Sequence, residues 1–235
     1  MGAWFEIALA CKSACMGTPM SLFSNSRRVY WFLFLLAPVL IWSWVNPHDR
    51  MTWWLESVPA LVGATLLLVF NRKFPLSTLL LVLIWMHAVI LLVGGHYTYA
   101  EVPWFDWLRD ATGGTRNNYD KVGHFFQGFM PAILTRELLL RTSPMGTADW
   151  RPASRWLGFV CGCVPLAFSA FYELVEWWAA VLGGSQADAF LGTQGYVWDT
   201  QSDMLWALTG ATAALLLLSR RHDLSLGRLR QITAG

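Results

Sequence analysis

Asp120 and His124, Glu173 and Glu176, and Asp199 and Asp203 form three pairs of ionisable residues, inside or at the ends of very apolar segments. The members of each pair stand three or four residues apart, so each pair shares one helix face. A charge at the centre of a bilayer costs roughly 2.5–3.5 kcal/mol on insertion scales, so such residues mark a site or a helix–helix contact. One imidazole among several carboxylates suits a zinc, manganese or iron ion, and carboxylates alone suit magnesium or calcium. Acids this dense cannot all ionise side by side without compensation. Three forms of compensation are open: protonation, pairing with Lys121 and Arg116, or a bound divalent cation.

The elements that must position these groups are helices. Asp120, His124, Gln127 and Pro131 follow one helical face, as do Glu173, Glu176 and Ala180. Asp199, Asp203, Ala207 and Gly210 make a stripe that turns small with depth, which suits close helix packing. Dinuclear carboxylate sites in bundles use Glu-x-x-His, which is absent here, so that likeness is chemical only. The competing account is that Asp120 and Asp199 cap helices and face headgroup water. It fits Glu173 and Glu176 poorly, because they lie near the C-terminal end of an apolar helix, where the dipole opposes them.

The 235 residues are 55% hydrophobic and 14% charged. Soluble domains carry roughly 25% charge, so the chain reads as all-α and membrane-embedded, and its net charge of +2 gives no reason to expect nucleic acid. Six apolar segments are near the ~20 residues that cross a hydrocarbon core. They cover about 29–45, 55–70, 76–95, 119–140, 156–182 and 198–219. With the N-terminus inside, only Arg50, Arg109, Arg116 and Lys121 of the 17 Lys and Arg lie outside. The positive-inside rule therefore expects both termini in the cytoplasm and all three polar pairs toward the outer face. The short turn Asn71–Pro75 makes segments two and three an antiparallel hairpin. The outer loop holds Pro103-Trp104-Phe105-Asp106-Trp107-Leu108, suited to lying in the interface and roofing the site.

The expected organisation is a poorly ordered extension over 1–28, one six-helix domain over 29–219 and a basic cytoplasmic tail over 220–235. Cys11, Cys15, Cys161 and Cys163 form no CxxC; the last two read as core thiols. His87 reads as a hydrogen-bonded packing residue. Glu137 with Arg136 and Arg141 reads as a solvated inner helix end, and Gly192–Gly195 as a turn. His96 reaches the depth of the polar pairs.

The stretches GGHYTYAEVP (94–103), YDKVGHFFQGFMPAILTRELLLR (119–141), FYELVEW (171–177) and GTQGYVWDTQSDM (192–204) resemble the YjdF-like bacterial inner-membrane proteins over roughly residues 29–220. The resemblance implies an inner-membrane location and a multi-pass topology, and no reaction. It adds His96, Tyr97 and Glu101 to the candidate site. Glu173, Glu176, His96 and Glu101 are then the candidates for acid–base work. A partial similarity to VanZ-like membrane proteins rests on Asp120-Lys121-Val122-Gly123-His124-Phe125, with Glu173, Glu176, Asp199 and Asp203 as looser matches. The Asn and Gly that follow in that family are not matched; the similarity implies an envelope context. Three functions stay open: a metal-dependent enzyme acting on a lipid or lipid-linked substrate, a proton- or ion-coupled carrier, and a non-catalytic envelope factor.

Overall fold

The computed structural model describes residues 19–183 and 193–234, with side chains from residue 27 onward. The expected disorder of residues 1–18, Cys11 and Cys15 among them, lies outside the described residues, as does Gly192. Seven helices make up the described chain: α1 (Pro19–Trp44), α2 (Arg50–Phe70), α3 (Thr78–Tyr97), α4 (Pro103–Thr112), α5 (Tyr119–Thr142), α6 (Trp156–Gly183) and α7 (Asp199–Ala234). Four of them, α2, α3, α6 and α7, are long and apolar enough to cross a membrane. α5 has the length without the composition, since it carries Asp120, Lys121, Arg136, Glu137 and Arg141. α1 starts ten residues before the expected segment and takes in Arg27 and Arg28.

Local signals explain the boundaries. Asp49 caps α2 by accepting the Thr52 N–H at 2.7 Å, and Ser77 caps α3 by accepting that of Leu80 at 3.4 Å. Pro103 opens α4, where its missing N–H costs nothing, and Gly113 ends it at φ 68°, a conformation that favours glycine.

Two halves pack into one bundle. In the first, α3 lies between α1 and α2, with α2 and α3 forming the expected hairpin. In the second, α5, α6 and α7 pack mutually, and α3 joins the halves by lying against α5. The shared core includes Leu80, Leu83, Leu92, Ile133 and Ala211. Large apolar side chains crowd the outside as well, Phe34, Ile41, Phe159, Phe168 and Leu216 among them. An apolar girdle over an apolar core is the pattern of a chain whose solvent is lipid.

The tightest contact is between α5 and α7. A Cβ on Gly128 would overlap the backbone carbonyl of Ala207, and one on Gly210 would overlap that of Phe125. Only glycine lets the two backbones approach this closely, as the small-residue stripe led us to expect. Lower down, α7 does not stop near residue 219. Its 36 residues make a rod about 54 Å long, against a hydrocarbon core of about 30 Å. The segment read as a basic tail is its last turns, and Leu226 packs there with Leu140, Leu157 and Cys161.

Candidate functional site

The first turns of α5 and α7 are held together by a loop-to-loop clasp. The Gln194 side-chain amide donates to the Asn117 carbonyl at 2.8 Å and accepts the Asn117 N–H at 2.9 Å. Arg116 donates to the Thr193 carbonyl at 2.9 Å. Thr193 to Tyr196 is a turn closed by the Tyr196 N–H, with Gly195 at φ 79°. The clasp brings Asp120 and Asp199 to opposite sides of two cations. Arg116 pairs with Asp120 and, at 2.6 Å, with Asp199. Lys121 Nζ lies 2.7 Å from both Asp199 and Asp203 and 3.2 Å from Asp120. Burial works to lower the pKa of Arg116, but the Asp120 and Asp199 carboxylates outweigh it and hold the guanidinium above its ordinary value.

Behind this ion-paired layer, α6 closes a second group. His124, Glu173 and Asp203 each offer one ligand atom, and these atoms lie within 4.8 Å of one another. Gln127 Oε1 stands 2.8 Å from His124 Nδ1. An amide oxygen only accepts, so Nδ1 carries the proton and Nε2 keeps its lone pair. That lone pair is 3.7 Å from Asp203 Oδ1, too far for a hydrogen bond and close to the ~3.3 Å between two ligands at about 2.0 Å from one tetrahedral ion. Glu173 is 9% exposed, and its Oε1 is buried with no hydrogen-bond partner. A buried carboxylate oxygen without a donor is costly unless something fills the gap. Glu176, one turn along α6, is within electrostatic reach of Glu173, Glu56, Asp203 and Asp199.

The six residues singled out from the sequence therefore meet at one end of the bundle. The capping account fails for Asp199, whose carboxylate is taken up by Arg116 and Lys121. His96 and Glu101 are engaged elsewhere. His96 Nδ1 contacts the Ser43 carbonyl at 3.1 Å and its ring packs on Trp42. Glu101 pairs with His48 at 2.6 Å on the exposed surface. Tyr97 packs on His96 and Trp42. The helix α4 meets the start of α5: Phe105 packs on Tyr119, and Asp106 accepts a hydrogen bond from Asn117.

Sequence reasoning missed Glu56, 6% exposed on α2, whose carboxylate lies 3.4 Å from the Tyr172 hydroxyl on α6. An acid inside an apolar run was the available signal. It also misread the other end of α5. Glu137 is fully buried, not solvated. It accepts from the Ser77 N–H at 2.9 Å and from Arg141 at 2.9 Å, and pairs with His222 at 3.0 Å. Arg136 donates to His222 Nδ1 at 2.9 Å and to Asp223 at 2.7 Å. Because arginine can only donate, Nδ1 accepts and Nε2–H points at Glu137. His222 lies more than 80 residues from both partners, so no local spacing announced it. His87, expected to be hydrogen-bonded, has a buried Nε2 with no partner.

A helical bundle with lipid-facing flanks, four helices able to span, and buried acids clustered at one end defines a multi-pass α-helical membrane protein. The chain belongs to the family described as predicted membrane protein (DUF2238), whose model matches residues 28–224. It is similar to the inner membrane protein YjdF of Escherichia coli (strain K12), 46% identical over 198 residues, covering 84% of this chain and 92% of that protein. No solved structure matches it. The protein is a multi-pass inner-membrane protein.

Proposed function

We propose that the protein spans the inner membrane six times, with both termini in the cytoplasm, and holds a divalent cation near the periplasmic face through His124, Glu173 and Asp203. The observation that carries this reading is the Glu173 oxygen, buried without a donor beside an imidazole lone pair and a second carboxylate. One nitrogen and two oxygen ligands suit zinc or manganese, and three protein ligands leave a position open for water or substrate. Asp120 and Asp199 are compensated by Arg116 and Lys121 and complete the charge around the site without binding the ion.

A cation held by His124, Glu173 and Asp203 would supply Lewis-acid chemistry toward an ester or phosphoryl oxygen. Glu176, one turn from Glu173, would serve as the general base. The substrate is a lipid or lipid-linked envelope molecule. The test is to reconstitute the protein in vesicles of phosphatidylethanolamine and phosphatidylglycerol with zinc or manganese and follow lipid species by mass spectrometry. Metal-dependent headgroup loss that disappears in Glu173→Gln supports the enzyme. An unchanged lipid profile with metal-loaded protein contradicts it.

One observation favours a coupled carrier as the second reading. Buried ionisable groups lie at both ends of α5 and α7, with His87 on α3 between them. Proton or cation flux in the same vesicles, lost in His87→Ala, would favour that reading over the enzyme.

A further inference from the structure

Between α4, α5 and α7 lies a cavity of about 560 Å³, walled by Phe105, Phe125, Tyr196 and Trp206 and reached by Arg116 and Lys121. It occupies the side of the Gly128–Ala207 crossing where both helices begin. At the crossing the two helices are in backbone contact. Trp206 and Tyr196 are 42% and 44% exposed, so the cavity opens outward between the helices. Phe105 brings α4 over it, and α4 turns Trp104 and Trp107 outward, at 82% and 70% exposure. Exposed tryptophans on a short amphipathic helix place that helix in the headgroup layer of a bilayer.

The cavity's two cations are also the cations of the acidic cluster. Arg116 and Lys121 stand over the Tyr196 ring at 5.5 and 5.8 Å while binding Asp120, Asp199 and Asp203. Arg116 Nε is buried with no hydrogen-bond partner, an N–H donor in reserve. Without a metal ion, the carboxylates of Asp120, Asp199, Asp203 and Glu173 formally outnumber the two cations, and Glu176 and Glu56 lie nearby. A second anion is then repelled. A divalent ion on His124, Glu173 and Asp203 cancels the excess of two. With Asp203 engaged by an ion, the Lys121 ammonium would be freer to meet an anion in the cavity.

From this geometry we propose that the cavity receives the phosphodiester headgroup of a membrane phospholipid, with its apolar part against the aromatic wall, and that this binding is coupled to the cation on the neighbouring triad. The proposal rests on the metal reading above and names the substrate class. Inorganic phosphate or a soluble phosphate ester has the same anion chemistry. Four aromatic walls and a mouth at bilayer depth favour the lipid.

The test uses full-length purified protein titrated with dihexanoyl phosphatidylglycerol and with glycerol 3-phosphate, each with and without zinc. The expected result is lipid binding about tenfold tighter with zinc, and zinc binding tighter by the same factor with lipid, since coupling is reciprocal. Glycerol 3-phosphate is expected to bind more weakly than the lipid. Ser202→Phe, which fills the cavity from α7 without replacing a triad residue, should keep zinc and lose lipid; Val122→Phe does the same from α5 if the first variant folds poorly. Zinc binding with unchanged lipid affinity overturns this proposal and leaves the metal site standing. Glycerol 3-phosphate binding as tightly as the lipid overturns the lipid assignment. Absence of zinc binding overturns the metal reading and the coupling together.

Discussion

Asp203 does two things at once: one of its oxygens binds Lys121 at 2.7 Å and stands 3.7 Å from His124 Nε2. It is the hinge between an ion-paired layer and a triad with an oxygen left over. The site residues were legible in the sequence because acids at helical spacing in apolar segments are rare and costly. Their partition into two groups was not, because it depends on Arg116, a loop residue positioned by Thr193 and Gln194 far along the chain. The buried network around Glu137 behaves differently, since both of its carboxylate oxygens are engaged. Removing one partner of a buried charge set leaves the others uncompensated. Glu137→Ala is therefore expected to destabilise the protein by about 3–5 kcal/mol, read as a lowered melting temperature. A change under about 0.5 kcal/mol, the size of a surface substitution, would contradict its structural role.

Helix boundaries and close approaches carry the element-scale account. The α5–α7 crossing is set by glycine. Gly128→Val must push α5 off the Ala207 carbonyl and is expected to cost about 1–3 kcal/mol in thermal stability, with the site splayed and metal affinity reduced. Unchanged melting and metal binding would mean the crossing is not as tight as described. The small-residue stripe made this contact foreseeable. The length of α7 was not, because residues 220–234 carry four arginines that resemble a solvated tail, while Leu226 and Leu229 are buried. At the start of α2, the Thr52 backbone hydrogen bond holds the Asp49 carboxyl below the ordinary aspartate range. A folded-state pKa below the unfolded one means this cap stabilises the fold above the unfolded-state pKa and fades as pH falls through the folded value. Asp49→Asn keeps an acceptor and removes the titration. Its melting temperature is expected to drop less than the wild type's on acidification; equal losses would remove the cap from the account.

At the scale of the whole molecule, the proposed orientation rests on the Lys and Arg distribution. The composition made the membrane class plain, but not how many helices cross, because α5 buys its site with charges that lower its hydropathy. If α5 and α1 span with the other four, α4 lies outside and the C-terminal end of α7 lies inside. In a cysteine-free background, Trp104→Cys is expected to react with an impermeant thiol reagent in intact cells and Thr233→Cys only after lysis. The reverse pattern would invert the topology and place the site on the cytoplasmic face.

The central claim is a divalent cation on His124, Glu173 and Asp203. Metal content of the detergent-purified protein, measured by mass spectrometry beside Glu173→Gln, tests it most directly. The account predicts about one zinc or manganese ion per chain in the wild type, lost in a variant that still folds. A well-folded wild type free of metal after growth and purification with zinc and manganese present would contradict it.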